Sequence, residues 1–451
     1  MISSSLLKKY DTPVPRYTSY PTVPYWTDAP TTVDWIQALH DSASKEDATW
    51  AMYVHIPFCE TLCTFCGCNT VISRNHSKEG SYVQTLLKEQ NFYRTQTPEL
   101  FERKLRQLHL GGGTPTFLSA ENLVALIEGL LRDTRRDADA FDGSLEVDPR
   151  RTRAEQLKAL YDLGFRRVSM GVQDFNEEVQ RLINRIQPFD ITKKLTEEAR
   201  AMGYTSVNFD LIYGLPKQTK ELMRQTVEKT IELRPDRIAL YSFALVPWIK
   251  PQQRLFKDAD LPMGAEKREL YEISYEMLTQ AGYREIGMDH FALPDDQLSR
   301  SMDEGKLHRN FMGYAELRTD ILLGLGVSAI SEAPSCFHQN EKVLAQYQKK
   351  VLEEQVIPTL RGHKLTSEDQ RQREMILQFM TQGHVRLSDL EQKEDVENFL
   401  SQMIEDHLVA FEGDELKLTE TGRPFLRNAC VALDLRLRRN KPDTKVFSQS
   451  L

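Results

Sequence analysis

Between about residues 50 and 290, short apolar runs of β type alternate with amphipathic helical stretches, and that alternation restricts the fold of this chain more than any other feature. The runs lie at residues 52–56, 105–110, 144–147, 167–171, 207–213, 237–243 and 283–287. Helical patterns fill the intervals. Residues 120–133 carry Leu123, Leu126, Ile127, Leu130 and Leu131 on one stripe. Residues 176–186 carry Val179, Leu182 and Ile183 behind Asn176, a good helix cap with Glu177 and Glu178 in the first turn. Strands alternating with helices build a parallel sheet with crossover connections. Six or seven such units predict an α/β fold whose sheet is a partial or full (β/α) barrel. In such folds the chemistry collects at the carboxyl ends of the strands.

The first run leads straight into a cysteine loop within Tyr53-Val-His-Ile-Pro-Phe-Cys59-Glu-Thr-Leu-Cys63-Thr-Phe-Cys66-Gly-Cys68-Asn69, which holds four of the chain's six cysteines. Thiolates are soft ligands and select zinc, copper(I) or iron–sulfur clusters. Structural zinc usually takes two well-separated pairs of ligands. The spacing C-x3-C-x2-C-x-C within one loop suits three corners of a 4Fe–4S cubane better, with the fourth iron left open. Cys336 and Cys430 are isolated, so the thiols fit a reducing cytoplasm rather than a disulfide framework.

The second run ends in Gly111-Gly-Gly-Thr-Pro115, where backbone can approach a ligand closely. By itself this is a weak phosphate-loop pattern. Polar residues gather near the ends of the later runs: Glu146 and Asp148, Gln173 and Asp174, Asn208 and Asp210, Asp289 and His290. Carboxylates beside apolar neighbours on buried strands are costly unless paired or bound to a ligand. Taken singly each reads as a strand-end cap; as a set they read as a binding site. Arg185 reads equally well as a surface helix residue.

Outside the alternating region, residues 1–45 form a proline-broken arm with Arg16, Tyr17, Tyr20, Tyr25 and Trp26, expected to lie extended and docked on the catalytic domain. Residues 46–290 form the catalytic core, and residues 291–365 a pocket and connecting segment. In that segment Leu307-His-Arg-Asn-Phe-Met-Gly-Tyr314 reads as a loop over a pocket and residues 324–330 as a buried strand or turn. Residues 366–451 read as helix (367–381, capped by Ser367), helix (393–407), a two-stranded wing and a final helix (423–437). That pattern resembles a smaller, mostly helical winged-helix module. Glu391, Glu394, Asp395, Glu397, Glu405 and Asp406 before the wing would repel phosphate, which argues for a lid rather than a DNA reader. A net charge of −8 points the same way. No apolar run reaches the roughly 18–20 residues of a membrane span, and no secretory signal is evident.

C-x3-C-x2-C after a first strand resembles the signature of the radical S-adenosylmethionine (radical SAM) enzymes, and Gly111–Pro115 their glycine motif. The resemblance implies that Cys59, Cys63 and Cys66 hold a 4Fe–4S cluster whose open iron binds S-adenosylmethionine. Over nearly the whole chain a narrower likeness holds. Pro15-Arg-Tyr-Thr-Ser-Tyr-Pro21, the extra Cys68, Glu146-Val-Asp-Pro-Arg150, Ser169-Met-Gly-Val-Gln-Asp-Phe175, Asp210-Leu-Ile-Tyr-Gly-Leu-Pro-Lys-Gln218, Gly287-Met-Asp-His-Phe291 and His308-Arg-Asn-Phe311 resemble the oxygen-independent coproporphyrinogen III oxidase family. Departures at Met312 and Ala315-Glu-Leu touch substrate contacts only.

That likeness implies decarboxylation of two propionates of coproporphyrinogen III to vinyl groups in haem biosynthesis, giving protoporphyrinogen IX by 5′-deoxyadenosyl radical chemistry. It implies two S-adenosylmethionine molecules, one near Tyr53, Gly112, Glu146 and Ile330. The other lies near Phe65, Gly113, Thr114, Gln173, Arg185, Asp210 and Ala244. Tyr53, His55 and Cys68 are its catalytic candidates. Arg16, His308 and Arg309 are candidate cations for the substrate carboxylates. A monomer served by an electron donor such as flavodoxin or ferredoxin is implied as well. A haem-binding chaperone on the same scaffold is the alternative; Cys68 and the arm argue against it. A zinc or DNA-binding regulator built on the C-terminal module is a further one.

Overall fold

The strands of the central sheet have one face for the helices and another for the site. The computed structural model describes residues 3–387, 389–442 and 446–450. Six parallel strands follow in order, β1 (Thr49–Ile56), β2 (Lys104–Gly112), β3 (Asp142–Val147), β4 (Phe165–Gln173), β5 (Ser206–Tyr213) and β6 (Arg237–Ser242). Successive side chains on a strand point to opposite faces. Leu108, Leu110, Leu145, Val168, Met170, Val207, Phe209, Leu211, Ile238 and Leu240 therefore share one face, and all belong to one buried cluster with helix residues such as Leu126, Leu157, Leu195 and Val227. The alternate positions, including His109, Ser144, Glu146, Ser169, Asn208, Asp210 and Tyr241, line a polar space within the curve of the sheet. Register sets these side chains in rows: Tyr53 lies beside His109 and His109 beside Ser144, while Glu146, Ser169, Asn208 and Arg237 are successive neighbours.

The run at 283–287 does not add a further parallel unit. It forms β7 (Arg284–Gly287), which pairs antiparallel with β8 (His290–Ala292), and β8 in turn runs antiparallel to β6. A tight turn at residues 288–289, with Met288 at φ 45°, leaves no room for a crossover helix. The seventh parallel strand is β9 (Ile321–Leu325), on the other side of β1. Antiparallel β10 (Ile330–Ala333), β11 (Cys336–Asn340) and β12 (Thr359–Lys364) extend that edge. The order β12-β11-β10-β9-β1-β2-β3-β4-β5-β6-β8-β7 does not close on itself, so the barrel is partial. The stretch at 307–314 is a hairpin, His308–Asn310 against Gly313–Ala315, rather than a loop.

The arm is extended only in part. Helices occupy Ser4–Tyr10 and Thr32–Ala43, the second starting after Pro30 with a Thr31–Asp34 capping box. Tyr10, Tyr17 and Tyr20 enter the C-terminal core beside Phe425, Ala429 and Cys430. In that C-terminal region the cap of helix Ser367–Gln382 is Thr366, not Ser367; Thr366 and Asp369 exchange side-chain and backbone bonds. Helix Leu390–Glu405 lies between the first strand of a three-stranded sheet, His384–Arg386, and the other two, Val409–Glu412 and Glu415–Leu418, the last of which pairs with both. The expected final helix is broken. Asp434 adopts φ −88°, ψ 81° and caps Leu437, splitting the segment into short turns. Among the described residues no helix is long and apolar enough to cross a membrane.

Candidate functional site

The cysteine loop is pinned on every side. Phe58–Cys59 pairs with Val71–Ile72 and closes the loop at its base. Thr64 N donates to Ile183 O (3.1 Å), Asn184 Nδ2 to Leu62 O (2.7 Å), and Cys66 N to Cys63 O (3.1 Å). From the segment after β6, Lys250, Gln252 and Gln253 donate to the carbonyls of Cys68, Cys66 and Phe65 at 2.7, 3.0 and 3.2 Å. All four cysteines open on one cavity of about 160 Å³ at the carboxyl ends of the strands, with Phe65, Gly112, Gly113, Thr114, Glu146, Gln173, Arg185 and Asp210.

Within this cavity Cys59 Sγ lies 3.4 Å from Thr114 Oγ1. Two guanidiniums face Cys63 Sγ, Arg185 at 3.6 Å and Arg150 at 3.7 Å. Asp148 holds both, at 3.2 and 2.7 Å. Burial would raise Asp148, but Arg185 and Arg150 outweigh it and hold the carboxyl at about 2. The Cys68 thiol, hydrogen-bonded to Cys66, pulls Cys66 down to about 6 against burial, whereas burial pushes Cys59 up to about 11. Among the described residues no three Cys, His, Asp or Glu side chains converge as ligands of one ion. A cubane binds each thiolate to a different iron, so its ligands stand apart. A soft donor set from one loop beside two cations fits an anionic iron–sulfur cluster.

The glycines explain themselves by contact. A Cβ on Gly113 would lie 2.6 Å from Pro57 O and 2.8 Å from Phe58 O, both backbone. Gly112 sits at φ 118° with the His55 ring where its Cβ would be. Its N–H donates to Glu146 Oε2 at 3.0 Å. Burial would raise Glu146; the His109 hydrogen bond and the Gly112 N–H keep it below its ordinary value, hence ionised. Asp210 is the opposite case. Burial, then the Glu146 charge, raises it to about 7 although Ser169 and Asn208 donate to it.

Tyr53 and His55 stand behind the cavity rather than on its wall. His55 Nε2 bonds to Asn69 O at 2.9 Å, and Nδ1 to Tyr53 OH at 3.0 Å. A carbonyl only accepts, so Nε2 carries the proton and Nδ1 accepts from the tyrosine. Burial lowers the His55 pKa and keeps it neutral. The Tyr53 ring stacks on His109 (5.9 Å, 18°) and meets Phe311 edge-on (5.0 Å, 87°). Ala244 lies just past β6, and Ile330 opens β10 with its carbonyl against Gly324, the register partner of Tyr53.

The three candidate cations part company. Arg16 pairs with Asp289, and Arg309 Nη2 reaches Arg16 O at 3.4 Å. Arg309 is 6% exposed, and its Nε and Nη1 have no hydrogen-bond partner among the described residues. His308, the next residue on a β-hairpin, points the other way. It lines a cavity of about 1220 Å³ with Arg106, Arg167, Ser206 and Arg237, at the amino ends of the strands. Burial pushes its pKa down to about 3, so it is neutral and offers no cation to the site.

Sequence reasoning passed over Arg150, Lys250, Gln252 and Gln253 as site residues. Arg150 had a signal, two residues beyond Asp148 in the same motif. The 250–253 segment had none, because its bonds are made to loop carbonyls and depend only on proximity. The helix expected to run to residue 186 stops at Leu182, and Asn184 turns left-handed at φ 53°, swinging Arg185 inward.

Residues 53–230 match the Radical SAM superfamily model. The oxygen-independent coproporphyrinogen III oxidase of Escherichia coli (strain K12) is 41% identical over 96% of this chain and 95% of its own length. That of Pseudomonas aeruginosa is 38% identical over 96% and 95%, and that of Synechocystis sp. 36% over 100% and 98%. The solved structure of the Escherichia coli coproporphyrinogen III oxidase, described as a radical SAM enzyme, superposes with a TM-score of 0.90 at 39% identity. It covers 96% of this chain and 99% of that one.

Proposed function

Since the chain belongs to the oxygen-independent coproporphyrinogen III oxidase family of the radical SAM superfamily, we propose that it converts two propionate side chains of coproporphyrinogen III to vinyl groups, yielding protoporphyrinogen IX in haem biosynthesis. Each conversion removes one hydrogen atom, one electron and CO2 from the side chain. The observation that carries this reading is the shared cavity: three cysteines of one loop, two guanidiniums on Cys63 and the close-packed glycines at the end of β2. When bound, a 4Fe–4S cluster with S-adenosylmethionine would supply the 5′-deoxyadenosyl radical chemistry needed to remove a hydrogen atom from the carbon β to the carboxylate.

Cys59, Cys63 and Cys66 hold the cluster, and Arg150 and Arg185 offset its negative charge. Ionised Glu146 accepts from donors on the cofactor, while Gly112 and Gly113 leave room for close approach. Neutral His55 and Tyr53 fix the loop through Asn69 and exclude water behind it. Cys68, a fourth thiol beyond the three ligands, faces the same cavity and is free for hydrogen or electron transfer. A second S-adenosylmethionine is supported by the same cavity, whose wall carries Phe65, Gly113, Thr114, Gln173, Arg185 and Asp210 beside the cysteines. Arg16 and Arg309 take the substrate carboxylates; the partnerless N–H groups of Arg309 favour this. The reducing electron comes from a flavodoxin or ferredoxin.

The test is anaerobic. The chain is reconstituted with iron and sulfide and supplied with dithionite, S-adenosylmethionine and coproporphyrinogen III. Protoporphyrin after oxidation, 5′-deoxyadenosine and CO2 are then quantified. Vinyl product that disappears in Cys63→Ala is expected. Cleavage of S-adenosylmethionine without vinyl product, or tight haem binding without turnover, would overturn the substrate assignment.

A further inference from the structure

Six of the fourteen large apolar side chains exposed on the described surface ring the cysteine loop: Ile72, Leu182, Ile186, Trp248, Ile249 and Val343, each 41–58% exposed. Each lies within two residues of a group that holds the loop or is one itself. Ile72 pairs with Cys59, and the Leu182 carbonyl accepts from Thr64 Oγ1 at 3.2 Å. Asn184, two residues before Ile186, donates to Leu62. Lys250, next to Ile249, donates to Cys68 O. The Lys342 carbonyl, next to Val343, accepts from Asn69 Nδ2 at 3.0 Å. An exposed apolar cluster of this kind marks an interaction site.

Charge says which partner. Lys250 reaches the carbonyl of Cys68 and the Lys342 carbonyl accepts from the adjacent Asn69, so both cations flank one stretch of the loop. Arg361, held by Gln339, adds its charge beside Lys342, and none of the three forms an ion pair among the described residues. Arg74, two residues past Ile72, adds an exposed cation. Three acids nearby are engaged: Glu60 pairs with Arg151, Glu177 with Arg181 and Glu341 with Lys350. On a chain of net charge −8, this face is a local cationic exception. Complementary charge steers encounters and sets orientation more than it adds affinity.

We propose that this face, the cysteine-loop rim of Ile72, Ile186, Trp248, Ile249 and Val343 with Lys250, Lys342 and Arg361, docks an acidic one-electron carrier protein. The inference rests on the cluster assignment above. A single electron crosses only a short gap, so a carrier must seat its own redox group over the loop that holds Cys59, Cys63 and Cys66. The carrier is oxidised by one electron and the cluster reduced by one; no bond breaks and no proton moves. A small, transient interface is what such an encounter needs, at the low end of interface sizes.

Lys250 supports the loop, so the test uses Lys342→Glu and Arg361→Glu, alone and together, in the full reconstituted chain. The probes are a bacterial flavodoxin and a bacterial ferredoxin, both acidic. Titration calorimetry at low and high salt gives the dissociation constant, and zero-length carbodiimide coupling with mass spectrometry locates the contact. The expected result is saturable, salt-weakened binding of the wild type by at least one carrier, with cross-links at Lys342 or Lys250. The double variant should bind at least tenfold more weakly, while its dithionite-driven turnover stays at the wild-type level. Unchanged affinity in the double variant, cross-links confined to another face, or no binding of either carrier would overturn the docking assignment. Absent dithionite-driven turnover in the wild type would instead strike the enzymatic reading, so the two failures are separable.

Discussion

The guanidinium of Arg185 lies 3.6 Å from the sulfur of Cys63, and the same group donates to Asp148 at 3.2 Å and to Gly171 O at 2.5 Å. One side chain thus joins the cysteine loop to the ends of β3 and β4.

Replacing Arg185 by Met leaves the buried Asp148 with Arg150 alone. Breaking a buried pair on one side costs about 3–5 kcal/mol, and the retained Arg150 brings the expectation to the low end, about 3 kcal/mol. Lysine should not rescue it, because a single ammonium cannot serve three partners in a fixed fork. Urea unfolding of the two variants, with bound iron per chain after reconstitution, checks this; full recovery by lysine would remove the fork from the argument.

Asp210 predicts a pH dependence. Its carboxyl is raised to about 7 in the folded chain, first by burial and then by Glu146. The ordinary value is about 4. The folded state therefore retains a proton that the unfolded chain releases. This contribution to stability is complete below about pH 4 and is lost as pH rises through about 7. The wild-type melting temperature should fall between pH 5 and pH 8, and the fall should shrink in Asp210→Asn. Glu89, raised to about 7, and Asp174, raised to about 6, act in the same direction in both proteins. The difference between the two melting curves therefore belongs to Asp210, and parallel curves would contradict its raised pKa.

Gly113→Ala should be far worse than its size suggests. The new methyl meets Pro57 O, Pro57 C and Phe58 O at 2.6–2.8 Å, all backbone at the root of the cysteine loop. Overpacking of this kind costs about 1–3 kcal/mol. Since the loop itself must move to relieve it, iron binding after reconstitution should fall by more than the loss of stability accounts for. Thermal melting beside iron analysis gives the answer.

Arg427 tethers the arm. Its guanidinium donates to the carbonyls of Val14, Pro15, Gln449 and Ser450, and burial lowers its pKa to about 9. Arg427→Ala leaves those acceptors without their donor and should cost about 3 kcal/mol. The arm should then become open to limited proteolysis near residues 11–17. Arg16 travels with it, so KM for coproporphyrinogen III should rise in both Arg427→Ala and Arg16→Ala, with only the former changing the proteolytic pattern.

Much of this was legible because it is local. The β–α alternation depends on side-chain periodicity, and six of the seven expected strands took their places in the parallel run. The seventh failed because apolar content says nothing about strand direction, and β7 returns through a turn too short for a crossover. Thr366 displaced Ser367 as a cap for an equally local reason, since only Thr366 stands three residues before Asp369.

What the sequence determined by itself is the spacing of Cys59, Cys63 and Cys66 after β1, the glycines at the end of β2, and the alternation that turns Glu146, Ser169, Asn208 and Asp210 to one face. All are set by covalent spacing and by the period of a strand. Tertiary structure alone decided that Arg16 would meet Asp289 across 273 residues, that Arg309 would join it while His308 faces the opposite cavity, and that Lys250 would reach Cys68. Such meetings depend on how distant segments close upon one another, and a side chain carries no local mark of the partner it will find once burial has removed water as the alternative.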